Sequence, residues 1–122
     1  MKQILLIEYD SDVRDVITCI LEDQDLMVLS VAVPFEPESA MDFHPDLILI
    51  DEWVSGKAGH PLCHQIKQMQ QFSQVPVIII STANNIENIT TDCGADDFIR
   101  KPFDMNELVE KVQQQLARLS KP

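Results

Sequence analysis

Pro45-Asp46-Leu47-Ile48-Leu49-Ile50-Asp51 sets an unbroken aliphatic run between two carboxylates. A strand with one face in water alternates apolar and polar residues. A continuous run instead reads as a strand covered on both faces, as in the centre of a parallel sheet. Ile4-Leu5-Leu6-Ile7 and the segment from Val75 to Ile80 have the same character. Leu26 to Ala32 and Ala95 to Ile99 are weaker runs of similar length.

Amphipathic segments separate these runs. Ser11 reads as an N-cap, followed at helical spacing by Val13, Val16, Ile17, Ile20 and Leu21. A short second helix is expected within Glu36 to Phe43. A third is expected from about Leu62 to Phe72, with Pro61 accepted in its first turn. A fourth, weakly marked, lies around Ile86 to Thr91. The last starts near Asp104 and carries Leu108, Val109, Val112, Leu116 and Leu119. Strand then helix, five times over, predicts an α/β doubly wound parallel sheet with right-handed crossovers. In such sheets the site lies beyond the carboxyl ends of the strands, where the strand order reverses.

The chain has 122 residues, the size of one domain, so residues 1–122 are read as a single unit. Its composition, 45% hydrophobic and 24% charged, is that of a globular protein. A formal net charge of −11 argues against direct nucleic-acid binding and against an anionic membrane surface. The apolar run after Lys2 is too short for a signal peptide, and none approaches a membrane span. The three cysteines, Cys19, Cys63 and Cys93, are odd in number and widely spaced. They are read as reduced, buried thiols in a cytoplasmic protein.

Polar residues follow four of the strands. Glu8-Tyr9-Asp10 follow the first, Asp51 the third, Ser81-Thr82 the fourth, and Lys101-Pro102 the fifth. Any one of these has an ordinary reading: a helix cap, a strand-end hydroxyl, a surface lysine. Together they suit phosphoryl chemistry. A carboxylate can attack phosphorus and form an acyl phosphate. Acids can hold Mg²⁺. A hydroxyl and an ammonium can contact phosphoryl oxygens.

The chain resembles the receiver domain of bacterial two-component response regulators over essentially its whole length. The resemblance rests on residues 45–51, on Val75-Pro76-Val77-Ile78-Ile79-Ile80-Ser81, and on Gly94-Ala95-Asp96-Asp97-Phe98-Ile99-Arg100-Lys101-Pro102-Phe103. It implies a flavodoxin-like (β/α)5 fold with strand order 2-1-3-4-5. It makes Asp51 the phosphoacceptor and Ser81, Thr82 and Lys101 the residues around the phosphoryl group. Ser81 and Phe98 become the switch positions, and the Lys101-Pro102 bond is expected to be cis. The implied Mg²⁺ ligands are Glu8, Asp51 and the backbone carbonyl of Trp53. A histidine kinase or phosphotransfer protein is the implied donor and an unknown downstream protein the target, with the chain a monomer or weak homodimer. The family's role is signalling rather than enzymatic.

Two departures bear on that reading. The family carries two adjacent acids after the first strand, whereas here Tyr9 stands in the second place. A phenol titrates near about 10 and is a poor Mg²⁺ ligand at neutral pH, which weakens the expected metal site. Asp10 is the candidate replacement. The loop after Asp51 has Val54-Ser55-Gly56 where the family often has Met-Pro, and Gly59 keeps the expected glycine.

His60, Cys63 and His64 have zinc-like spacing, but there is no second ligand cluster to join them. An aspartyl-phosphatase would need an acid where Trp53 stands. A flavin carrier would need a phosphate loop where Glu8-Tyr9-Asp10 would repel phosphate. Two functions stay open: a phosphorylatable receiver, whether stand-alone or part of a longer regulator, and a pseudo-receiver that acts by protein interaction alone.

Overall fold

The three aliphatic runs form the three central strands. The computed structural model describes residues 1–31, 42–51, 53–54, 57–58 and 60–119. Its main sheet is built from β1 (Gln3–Ile7), β2 (Met27–Val31), β3 (Leu47–Asp51), β4 (Val77–Ser81) and β5 (Asp97–Arg100). All neighbours are parallel, in the order β2-β1-β3-β4-β5. This is the expected order, with its reversal between β1 and β3.

Strand parity sorts the core into two layers. Ile4, Leu6, Leu47, Leu49, Ile78 and Ile80 face one way, packing with Ile17, Leu21, Leu108 and Val112. Those partners come from α1 (Ser11–Glu22) and α4 (Met105–Leu119). Leu5, Ile7, Ile48, Ile50, Val77 and Ile79 face the other way, against Cys63, Ile66, Ile86 and Cys93. Those come from α2 (His60–Gln68) and α3 (Ile86–Cys93). Unbroken apolar runs are thus required because both faces of each central strand are covered. A short antiparallel ribbon, Trp53–Val54 with Lys57–Ala58, follows β3.

Several expectations need correction. The N-cap of α1 is Asp10 rather than Ser11: its carboxylate accepts from the amides of Asp12 and Val13. The helix expected from Leu62 to Phe72 is two elements. Met69 is extended (φ −79°, ψ 129°), and a 3-10 turn at Gln70–Phe72 follows, which buries Phe72. The fifth strand starts at Asp97, later than expected; just before it Asp96 bonds Val77 twice, its amide donating to the Val77 carbonyl and its carboxylate accepting from the Val77 amide, each at 2.8 Å. Cys63 and Cys93 are buried, but Cys19 is exposed. The helix expected within Glu36 to Phe43 falls largely outside the described residues, as do Ser55, Gly56 and Gly59. There are four α-helices among the described residues, none long and apolar enough to cross a membrane.

Candidate functional site

The carboxyl ends of β1, β3, β4 and the segment after β5 meet at one rim. Asp51 closes β3 and is buried. Glu8 follows β1 and is held there by its amide, which donates to the Val31 carbonyl at 3.1 Å. Lys101 is drawn in from the opposite edge. Its amide donates to the Ser81 carbonyl at 2.9 Å, and the Lys101-Pro102 peptide is cis. Its Nζ lies 3.0 Å from Asp51 Oδ2 and 3.7 Å from Glu8 Oε2. Ser81 ends β4, next to β3, and its Oγ accepts from the Ala83 amide at 2.9 Å. Thr82 is exposed at the mouth.

The two acids do not share their single cation equally. Glu8 is raised from its ordinary value of 4.5 to about 8. Burial is the largest cause, followed by its hydrogen bond to Asp51 and the Asp51 charge. Glu8 Oε1 accepts the Asp10 amide at 3.2 Å, while Oε2 is buried and meets no donor. Burial beside the Asp51 charge thus favours the protonated form of Glu8.

Asp10 and Tyr9 point elsewhere. Asp10 Oδ1 is engaged with the start of α1, at 2.8 Å and 3.1 Å from two amides. Tyr9 is 57% exposed. Among the described residues no group of three His, Cys, Asp or Glu side chains is placed to hold a metal. Glu8 and Asp51 do form a buried acid pair with an unpartnered oxygen. Mg²⁺ accepts a site of one or two carboxylates completed by water and phosphate oxygens. The donor set therefore fits a sparse Mg²⁺ site. Trp53 lies two residues past Asp51 in the ribbon.

Phe98, on β5, is half-buried and packs against the core layer under α2 and α3. Arg100 and Lys111 stand over its ring at 5.4 Å and 5.1 Å. Lys111 also donates to the Phe98 carbonyl at 3.0 Å and pairs with Asp97. Arg100 pairs with Glu87 of α3 at 2.7 Å.

Residues 4–113 match the family model of the response regulator receiver domain. The chain belongs to this family. It is 33% identical to the response regulator ArlR of Staphylococcus saprophyticus, over 97% of its own length and 54% of that protein. It is 27% identical to the DNA-binding dual master transcriptional regulator RpaA of Synechocystis, over 97% of its own length and 50% of that protein. The chain thus spans about half the length of these curated relatives. Among solved structures it is similar to the signal receiver domain of a histidine kinase from Syntrophus aciditrophicus. That likeness has 26% identity and a TM-score of 0.83, and covers 100% of this chain and 95% of that one.

This receiver domain also holds residues that sequence reading passed over. Arg14 Nη1 donates to the carbonyls of Glu8 and Tyr9 at 2.9 Å and 3.3 Å, pinning the backbone that carries the acid. Its signal was a lone cation one turn into the first helix. Beside the mouth, a groove of about 680 Å³ runs between α1 and the start of α4. Its wall includes Val13, Val16, Phe103 and Met105, and it reaches Thr82 and Lys101. His64 is exposed while Cys63 is fully buried, so those two members of the zinc-like spacing face different surroundings.

Proposed function

We propose that this receiver domain accepts a phosphoryl group on Asp51 from a phosphohistidine of a histidine kinase or phosphotransfer protein. The observation that carries this is the pairing of Asp51 with Lys101 at 3.0 Å, at the carboxyl ends of the strands and at the reversal of strand order. A carboxylate oxygen of Asp51 attacks phosphorus, the N–P bond of the donor breaks, and an acyl phosphate remains. The Lys101 ammonium offsets charge on the phosphoryl oxygens. Mg²⁺, when held by Glu8, Asp51 and the Trp53 carbonyl, would neutralise further charge between acid and phosphate.

A phosphoryl group on Asp51 competes for Lys101 and offers an acceptor to the Ser81 and Thr82 hydroxyls. Ser81 is joined through its carbonyl to the Lys101 amide, and Phe98 lies on the same strand that leads to Lys101. The proposed output is a shift between two arrangements of this face, read by a downstream protein.

The test is incubation with a small acyl phosphate across millimolar Mg²⁺, followed by intact mass. Gain of one phosphoryl group in wild type and none in Asp51→Asn is the expected result. An unchanged wild-type mass would leave the phosphorylation-independent interaction module as the better reading.

A further inference from the structure

Arg14 stands one turn into α1 with Asp10, Asp12 and Asp15 close to it in sequence, yet its half-buried guanidinium turns to backbone. Nη1 donates to the Glu8 carbonyl at 2.9 Å and to the Tyr9 carbonyl at 3.3 Å. Both carbonyls belong to the segment that leaves β1 with the buried acid. A hydrogen bond from a charged donor is stronger than a neutral one, so this nitrogen holds the carbonyl side of Glu8 firmly.

The rest of the segment is tied as well. The Glu8 amide donates to the Val31 carbonyl at 3.1 Å, and Glu8 Oε1 accepts the Asp10 amide at 3.2 Å. The Asp10 carbonyl accepts the Arg14 amide at 2.9 Å, and the Asp10 carboxylate caps α1. These bonds close a ring from Glu8 through Asp10 to α1 and back to Glu8. The Arg14 guanidinium is the link that returns from the helix to the strand end. Without it the ring opens at the Glu8 carbonyl, and the turn between strand and helix gains freedom.

That freedom falls on the carboxylate. A glutamate side chain is long, so a small rotation of its backbone moves the acid far. With the Tyr9 ring turned to solvent, Glu8 and Asp51 are the two buried acids of the pocket, and a shift of Glu8 has no third acid to compensate it. Residues that orient a metal ligand without touching the ion change metal affinity by about 10–100-fold when removed.

We propose that Arg14 is a positioning residue that sets the Mg²⁺ affinity of the pocket by clamping the backbone of Glu8, so that its carboxylate stays beside Asp51. This rests on the reading of Glu8 and Asp51 as the acids of the cation site. The effect is on affinity for the ion and not on the attack of Asp51 on phosphorus, because Arg14 bonds two carbonyls and not the reacting carboxylate.

The test compares wild type, Arg14→Met and Arg14→Lys. Each is titrated with Mg²⁺ by calorimetry without a phosphoryl donor, then labelled with acyl phosphate over the same Mg²⁺ range. Methionine keeps an apolar stem and removes both donors. Lysine returns an ammonium on a shorter reach, which cannot keep both bonds. Arg14→Met should raise the Mg²⁺ midpoint about tenfold in both measurements, with labelling at saturating Mg²⁺ little changed. Arg14→Lys should fall between. In a Glu8→Gln background, adding Arg14→Met should move the midpoint by less than about twofold, since the carboxylate it positions is gone. A merely structural arginine would cost the same in both backgrounds. Equal costs there, an unchanged midpoint in Arg14→Met, a midpoint in Arg14→Lys equal to wild type, or no Mg²⁺ binding by wild type would each overturn the proposal. If Arg14→Met does not fold, Arg14→Lys decides alone and in the Glu8→Gln background. A wild type that binds Mg²⁺ but gains no phosphoryl mass would overturn the phosphoacceptor reading instead, and calorimetry would still decide the role of Arg14.

Discussion

The Lys101 ammonium lies 3.0 Å from the Asp51 carboxylate and, at 3.7 Å, is within ion-pair reach of Glu8 as well. One cation from the end of β5 therefore holds two buried acids from β1 and β3. Removing it leaves the acids facing each other. Lys101→Met should destabilise the fold by about 1–3 kcal/mol near pH 9, above the Glu8 value of about 8, discounted because the ammonium is partly exposed. The loss should shrink near pH 5, where Glu8 is protonated in any case. Urea midpoints at the two pH values measure this, and an equal loss at both would contradict the account.

Glu8 makes the stability of the domain pH-dependent. Its pKa in the folded chain is about 8, against an ordinary 4.5. The folded form holds this proton more tightly, so the stabilisation is fully present below 4.5 and is lost as pH rises through 8. Glu8→Gln has no proton to lose there. Wild type should weaken by about 2–4 kcal/mol between pH 5 and pH 9 relative to Glu8→Gln. Parallel denaturation profiles for the two proteins would remove Glu8 as the source.

Two helix ends adopt left-handed backbone, one with the fitting residue and one without. Gly94 follows α3 at φ +82°, and a Cβ there would meet only Lys67 Cγ at 3.9 Å. The penalty of Gly94→Ala is therefore conformational, about 1 kcal/mol. Asp25 follows α1 at φ 61°. Asp25→Gly should stabilise by about 0.5 kcal/mol, since glycine enters this region without Cβ strain. Thermal melts with opposite signs for the two variants are the expected outcome.

The legible parts of the sequence are those where local pattern and tertiary role agree. Ile4 to Ile7, Leu47 to Ile50 and Val77 to Ile80 are apolar because both faces are covered, so composition alone reveals them. The break at Met69 has no glycine or proline to announce it. It follows from burying Phe72, which is a tertiary demand. Ser11 and Asp10 are both good caps, and the extended backbone at Asp10 (φ −80°, ψ 120°) makes it the cap. In the candidate site, the places of Asp51, Ser81 and Lys101 after successive strands are legible in the sequence. Arg14 was missed because its targets are backbone carbonyls, which carry no side-chain signature.

Asp96 illustrates the same gap on the opposite side of the sheet. Its Oδ2 accepts from the buried Val77 amide at 2.8 Å and pairs with Lys67 at 3.2 Å. The carboxylate thus adds to the bond from the Asp96 amide to the Val77 carbonyl, at 2.8 Å, just before β5 begins. Asp96→Ala leaves the amide without its acceptor and should destabilise by about 1–3 kcal/mol. Asp96→Asn keeps an acceptor oxygen and should recover part of that loss. If urea midpoints place the two variants together, the amide bond is not what matters.

Tyr9 offers the sharpest test of the proposed metal site. The pocket has two carboxylates, Glu8 and Asp51, while the Tyr9 ring is directed to solvent and is 57% exposed. Its backbone is fixed by Arg14 through a carbonyl, a bond that any side chain at this position preserves. Tyr9→Asp should therefore keep the fold and add a third acid beside the pair. Electrostatic repulsion among the acids then rises, so stability without metal should fall. The Mg²⁺ needed for half-maximal acyl-phosphate labelling of Asp51 should drop by about tenfold, or about 1.4 kcal/mol of binding. Millimolar Mg²⁺ should restore the lost stability by mass action. Labelling at increasing Mg²⁺, beside thermal melts with and without the ion, reads both effects. An unchanged Mg²⁺ requirement would mean that the tyrosine does not stand in a ligand position.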